Sequence, residues 1–146
     1  MISKINDIVI TPLKIIDNPK GNIYHGMKNS DRGYVGFGEA YFSELTTGQI
    51  KGWNRHKYMT LNLIVPVGSV KFVIVDNKII DNNNYLEVEL SLQNYKRLTI
   101  PSGLWVGFQN IAEQKSMILN IADMEHDPAE KETISLDEID YIWKKV

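Results

Sequence analysis

The sequence predicts an all-β fold, an antiparallel double-sheet barrel with a short C-terminal helix laid on it. Three observations carry that expectation. Turns rich in Gly, Pro and Asn recur at short intervals along the chain. Between them lie about nine short segments that are β-branched, apolar or strictly alternating, a spacing that suits sandwiches and barrels rather than βαβ units. Only the tail changes period.

Residues 7–16, DIVITPLKII, are β-branched with Pro12 inside, which predicts an edge strand or two short strands. Asn18 to Gly21 is turn chemistry. Residues 24–32, YHGMKNSDR, are too polar for a core strand and read as a loop crossing a site or an interface. Residues 34–43 alternate loosely and carry two glycines, as strands do where another backbone comes close. Residues 49–53 form a short strand running into the polar cluster at 54–58. Residues 61–67 and 70–75 are apolar runs separated by Pro66-Val67-Gly68-Ser69, which predicts a hairpin-like pair. Residues 76–84, DNKIIDNNN, form an exposed loop. Residues 85–92 place Leu86, Val88, Leu90 and Leu92 on one side and Glu87 and Glu89 on the other, a half-buried strand. Residues 97–100, 104–108 and 117–122 complete the strands. Ser135 with Glu138 forms a capping box, and Leu136, Ile139 and Trp143 fall on one helical face.

A chain of 146 residues, 43% apolar and 23% charged, has the size and composition of one globular domain, taken as residues 1–146. A net charge of −2 leaves no electrostatic footprint for nucleic acid or an anionic membrane. No run approaches the ~18 apolar residues of a membrane span, so a cytoplasmic protein with neither nucleic-acid nor membrane partner is expected. The absence of cysteine excludes disulfides and thiolate chemistry.

The chemistry concentrates in residues 48–68, GQIKGWNRHKYMTLNLIVPVG, and their echo at 101–110, PSGLWVGFQN. In strand geometry Asn54 and His56 share a face and Arg55 points away. Histidine is the side chain whose unperturbed titration falls near neutrality, which makes His56 the candidate general base; the alternative is a structural or surface imidazole. Lys51 or Arg55 could meet a phosphate or an enolate oxygen. Tyr41 is either a barrel-wall residue with a bonded hydroxyl or a proton donor facing a cavity. Trp53 and Trp105 flank the two stretches and could stack on a flat ring or pack in the core. Tyr58 and Asn62 complete the candidate binding set. His25 reads as part of a mobile loop, and His126, among acidic residues, as a solvated turn.

These stretches resemble the cupin superfamily. Gly48, Gly68, Pro101, Gly103 and Asn110 stand at the spacings of its two metal-binding motifs, but Asn54, Leu61 and Val106 occupy the ligand positions and only His56 remains. One imidazole does not hold a divalent ion, so no metal is expected. Within the superfamily, KGWNRHK, IPSGLWVGF and the ending DPAEKETISLDEIDYIW resemble the deoxysugar-nucleotide cupins, over roughly residues 34–143. The tail and IPSGLWVGF are similar to the RmlC-like dTDP-4-dehydrorhamnose 3,5-epimerases, and KGWNRHK to the dTDP-4-keto-6-deoxyhexose 3,4-ketoisomerases.

The resemblance implies a jelly-roll barrel and a cofactor-independent isomerase of a nucleotide-linked (dTDP-linked) 4-keto-6-deoxy sugar in surface polysaccharide synthesis, acting as a homodimer. It places Lys51 at a phosphate-contacting Arg position, Asn54 at the epimerases' base, His56 at the second His of the ketoisomerase pattern, and Tyr41 on an active-site tyrosine. Asn54 cannot abstract a proton, and the epimerases' acid tyrosine falls near Leu119 or Asn120. A catalytically dead sugar-nucleotide binder is the rival reading. A metal-dependent cupin drawing ligands from His25 or His126 is the third.

Overall fold

The computed structural model describes residues 4–144. Its strands are β1 (Val9–Pro12), β2 (Ile15–Ile16), β3 (Ile23–Tyr24), β4 (Glu39–Leu45), β5 (Ile50–His56), β6 (Leu61–Val67), β7 (Ser69–Val75), β8 (Tyr85–Ser91), β9 (Lys96–Ile100), β10 (Trp105–Asn110), β11 (Ser116–Ala122) and β12 (Lys131–Thr133). Two antiparallel five-stranded sheets, ordered β1-β9-β6-β11-β4 and β12-β5-β10-β7-β8, pack face to face as a jelly roll, and β2 pairs with β3 alone. The all-β, double-sheet expectation holds. Alternation along each strand sends Leu61, Leu63, Phe72, Val88, Leu90, Leu98, Ile100 and Ile118 into the space between the sheets.

Several local readings change. Residues 7–16 do contain two short strands, with β1 on a sheet edge where Pro12 costs no ladder bond. The runs at 61–67 and 70–75 are not a hairpin: β6 bonds to β9 and β11, whereas β7 bonds to β8 and β10 in the opposite sheet. The crossing between sheets is made at Gly68, whose φ of +82° suits glycine and where a Cβ would lie 2.1 Å from the Ser116 hydroxyl. Pro66 sits where the β6–β11 register slips by one residue, a bulge that tolerates its missing N–H.

The C-terminal helix is corrected to a single 3₁₀ turn, Leu136–Glu138, whose capping box is present as read. Beyond it, Ile139, Tyr141 and Trp143 follow a period of two. Ile139, Tyr141 and Trp143 pack with Trp53, Val73, Val75 and Trp105, forming a second core on the outer face of the β5-containing sheet. The Trp53 ring lies 5.4 Å from that of Trp143 and 6.4 Å from that of Tyr141. An extended tail places all three side chains on this sheet.

The loop at 25–38 is latched from beneath by Arg97, which is fully buried. Its guanidinium donates to Gly26 O at 2.8 Å, Arg32 O at 3.1 Å and Asp31 Oδ2 at 3.3 Å, and its Nε to Asn62 Oδ1 at 3.2 Å. No helix among the described residues is long and apolar enough to cross a membrane.

Candidate active site

Asn54, Arg55 and His56 of the polar cluster lie on a strand, β5, and Lys57 and Tyr58 in the bend that follows it. A cavity of about 220 Å³ opens between the sheets. Its floor is apolar, made by Leu61, Leu63, Phe72, Val106, Phe108 and Ile118. Tyr41, Ser43 and Asn120 line one wall from β4 and β11; Lys51, Asn54 and His56 line the other from β5, with His126 and Lys131 also lining it.

Strict alternation from Asn54 and His56 would turn Lys51 outward. The strand avoids this with a bulge: Val106 pairs with Asn54 and Phe108 with Lys51, so two steps on β10 face three on β5. The extra residue falls at Gly52-Trp53, and both point away from the cavity. A Cβ on Gly52 would lie 2.2 Å from Leu136 Cδ2, and Trp53 Nε1 donates to Leu136 O at 3.2 Å. Lys51 is thereby rephased onto the face of Asn54 and His56, where its Nζ donates to Glu44 O at 3.2 Å.

His56 is held through both its backbone and its ring. Its carbonyl accepts from Gly103 N at 2.8 Å, which ties the two motif stretches together. Its Nδ1 hydrogen-bonds to Glu130 Oε1. The other oxygen of Glu130, a residue 3% exposed, accepts from the amides of Tyr58 and Met59, each at 3.2 Å. Burial pushes the Glu130 carboxyl up, but the bond to His56 and the two amides outweigh it and hold the group below the usual glutamate range. A carboxylate that stays ionised fixes the imidazole's proton on Nδ1 and leaves Nε2 as the basic nitrogen.

Asn54 is oriented by β12, which pairs Thr133 with Asn54 and Lys131 with His56. Thr133 Oγ1 donates to Asn54 Oδ1 at 2.7 Å, so the amide's acceptor is occupied and its N–H₂ remains to donate. On the opposite wall, Asn120 Nδ2 donates to the Tyr41 hydroxyl at 3.1 Å, leaving the phenolic proton free.

Four of the nine residues singled out from sequence, Tyr41, Lys51, Asn54 and His56, meet at this cavity. The other five do not line it. Trp53 and Trp105, both at most 1% exposed, are second-core residues under the tail, which corrects their reading as stacking platforms. Arg55 points outward, its guanidinium 3.0 Å from Glu132 and 4.6 Å from the Trp105 ring centroid. Tyr58 is 72% exposed to solvent, and Asn62 is buried, accepting from Arg97 and from Thr99 Oγ1 at 2.6 Å and donating to Gly33 O at 3.1 Å.

Sequence reasoning missed Glu130, Asn120, Lys131 and Thr133, and set His126 aside. Glu130 had a local signal: Asp127 caps a turn with Pro128 in its first position, and its carboxylate accepts from Ala129 N at 3.0 Å. That turn aims Glu130 inward.

The cupin metal positions do not fit a metal here. Asn54, Leu61 and Val106 offer no anionic or imidazole donor, and no group of three His, Asp or Glu residues comes together among the described residues. The frame residue Asn110 instead ties turns together, donating to Leu45 O at 2.9 Å and Gln114 O at 2.8 Å.

No protein-family profile and no curated protein sequence matches the chain. Solved structures do. A dTDP-sugar isomerase from Desulfovibrio desulfuricans superposes with a TM-score of 0.86 at 28% identity, over 94% of this chain and 90% of that one. A dTDP-4-dehydrorhamnose 3,5-epimerase from Sulfolobus tokodaii gives 0.76 at 25% identity, over 94% and 82%. A sugar 3,4-ketoisomerase from Thermoanaerobacterium thermosaccharolyticum, in complex with TDP, gives 0.74 at 18% identity, over 93% and 94%. Both branches read in the motifs recur among these structures, and the chain has the fold of the deoxysugar-nucleotide cupins.

Proposed function

We propose that this protein is a cofactor-independent isomerase or epimerase of a nucleotide-linked 4-keto-6-deoxy sugar, dTDP-linked as in the similar structures. The observation that carries the reading is the His56–Glu130 pair in an apolar cavity, with Tyr41 on the facing wall. The 28% identity to a dTDP-sugar isomerase over nearly the whole of both chains supports the substrate class.

The chemistry needs no redox partner. A ketone acidifies the neighbouring C–H, so a positioned base and a stabiliser for the enolate oxygen suffice. His56 Nε2 takes the proton from the carbon next to the ketone. Glu130 stays ionised and stabilises the imidazolium. The electron pair of the broken C–H bond forms the C=C of an enolate, and the former ketone oxygen carries the charge. The Asn54 amide, its acceptor occupied by Thr133, and the Lys51 ammonium are the donors available for that oxygen. One such donor is worth roughly 3 kcal/mol in an enclosed site. Tyr41 returns a proton. Delivery to the opposite face of the same carbon inverts it; delivery to the former carbonyl carbon, with transfer of the adjacent hydroxyl proton, moves the ketone by one position.

Asn54 at the position of the epimerases' base favours one proton abstraction rather than two, so a 3,4-ketoisomerase is the second reading. A binder without turnover is the third. Incubation with dTDP-4-keto-6-deoxyglucose in D₂O, followed by proton NMR, separates them. Deuterium at C4 of a 3-keto product identifies a ketoisomerase; deuterium at C3 and C5 of a 4-keto product identifies a 3,5-epimerase. Line broadening without exchange identifies a binder. A role in surface polysaccharide synthesis accompanies either enzymatic reading.

The reading includes a homodimer. The surface offered for it is the outer face of β4 and β11, where Phe37 and Phe42, more than 60% exposed, adjoin Ala40, Leu119 and Ile121. Sedimentation velocity of Phe42→Glu beside the parent protein tests it: the dimer is expected to dissociate.

A further inference from the structure

We infer that Asn120 is the residue that reads a ring hydroxyl of the sugar, through its side-chain carbonyl; this deepens, and rests on, the sugar-nucleotide reading above. Asn120 stands in β11 between Tyr41 of β4 and Leu63 of β6. The alternation of β11 turns Ser116, Ile118, Asn120 and Ala122 inward, and Asn120 is 4% exposed. Its amide nitrogen is committed to the Tyr41 hydroxyl at 3.1 Å, which fixes the side chain's orientation. Its Oδ1 is buried and has no hydrogen-bond partner among the described residues. Of its cavity-lining neighbours, Leu61, Leu63 and Ile118 carry no polar side-chain group, and the Ser43 hydroxyl on the same wall makes no hydrogen bond to it.

A buried carbonyl oxygen without a donor is costly, and a polypeptide retains one where something else supplies the donor. The donor must come from what fills the cavity. In the keto-sugar diphosphate the 4-keto oxygen and the diphosphate have only acceptors to offer at neutral pH, and the donors of the nucleoside are tested separately by dTDP alone. A ring hydroxyl has the proton required. The same amide therefore serves two partners: its nitrogen sets Tyr41 with the phenolic proton free, and its oxygen takes the substrate hydroxyl. Recognition built on a buried polar partner discriminates strongly against a ligand that lacks the group, because the oxygen is then left unpaired again.

The experiment is a calorimetric binding series with the full chain: dTDP, dTDP-4-keto-6-deoxyglucose, and the 2-deoxy and 3-deoxy analogues of that sugar nucleotide. One deoxy analogue is expected to bind roughly 10- to 100-fold more weakly than the parent sugar. Asn120→Leu should remove that difference while leaving dTDP affinity within twofold, and Asn120→Asp, which keeps an acceptor, should preserve it. Equal affinity of the unaltered protein for the parent and both analogues overturns the assignment without any variant. So does an Asn120→Leu protein that loses dTDP and all three sugar nucleotides in equal proportion. Failure of the unaltered protein to bind any dTDP-sugar overturns the sugar-nucleotide reading, and this inference with it.

Discussion

Glu130 holds His56 by Nδ1 with one carboxylate oxygen and takes the backbone amides of Tyr58 and Met59 with the other. One buried side chain thus orients the candidate base and closes the turn that follows it. Replacing the base and replacing its support should therefore have different consequences. His56→Ala should lower turnover about 10²–10⁴-fold, the usual contribution of a general base. Glu130→Gln, in which an amide can no longer stabilise the imidazolium, should lower turnover by a similar order while substrate affinity changes little. Steady-state kinetics with the KM and kcat effects separated check both.

The same pair makes stability depend on pH. The Glu130 carboxyl lies below its ordinary value of 4.5 in the folded protein. A depressed folded value means that the unfolded chain binds the proton more readily, so the stabilisation is fully present above about pH 4.5 and lost as pH falls through the lower folded value. Urea midpoints measured from pH 7 to pH 3 should fall across the acidic end, and Glu130→Gln should flatten that part of the curve. A variant as steep as the parent would show that other carboxylates carry the dependence.

Gly52 is the point at which β5 gains its extra residue, and its side-chain direction is filled by Leu136. Gly52→Ala must displace that leucine or straighten the bulge, an overpacking cost of about 1–3 kcal/mol. A straightened strand would also turn Lys51 out of the cavity. Thermal unfolding and dTDP-sugar titration of the variant, beside Lys51→Met, should show lowered stability and weakened binding together.

Trp105 separates core packing from ligand stacking. It is 1% exposed on the sheet face opposite the cavity and lies beneath Arg55. Trp105→Ala should cost about 3–5 kcal/mol of stability. The affinity of the folded fraction for a dTDP-sugar should remain within twofold. A large loss of affinity at unchanged stability would return Trp105 to the site.

The parts of this structure legible in the sequence are those that a repeating period encodes. Leu86, Val88 and Leu90 announced β8, and the shared face of Asn54 and His56 followed from the same rule. What escaped were departures from the period and partners distant in sequence. The bulge at Gly52-Trp53 reverses the direction that strict alternation alone gives Lys51, and a glycine alone does not distinguish a bulge from a plain strand. The tail satisfied a helical face through Leu136, Ile139 and Trp143 and an extended one through Ile139, Tyr141 and Trp143. Packing against Trp53 decided for the second. Glu130 lies 74 residues from His56, and Asn120 stands 79 from Tyr41. No local pattern links such pairs; only the strand order brings them together.

The central claim is that His56 removes a proton beside a ketone, and deuterium wash-in tests it most directly. The unaltered protein, His56→Ala and His126→Ala are each incubated with dTDP-4-keto-6-deoxyglucose in D₂O and followed by proton NMR. The account predicts deuterium at a carbon next to the ketone for the unaltered protein and for His126→Ala, and none above background for His56→Ala. Exchange that survives in His56→Ala at an undiminished rate would contradict it.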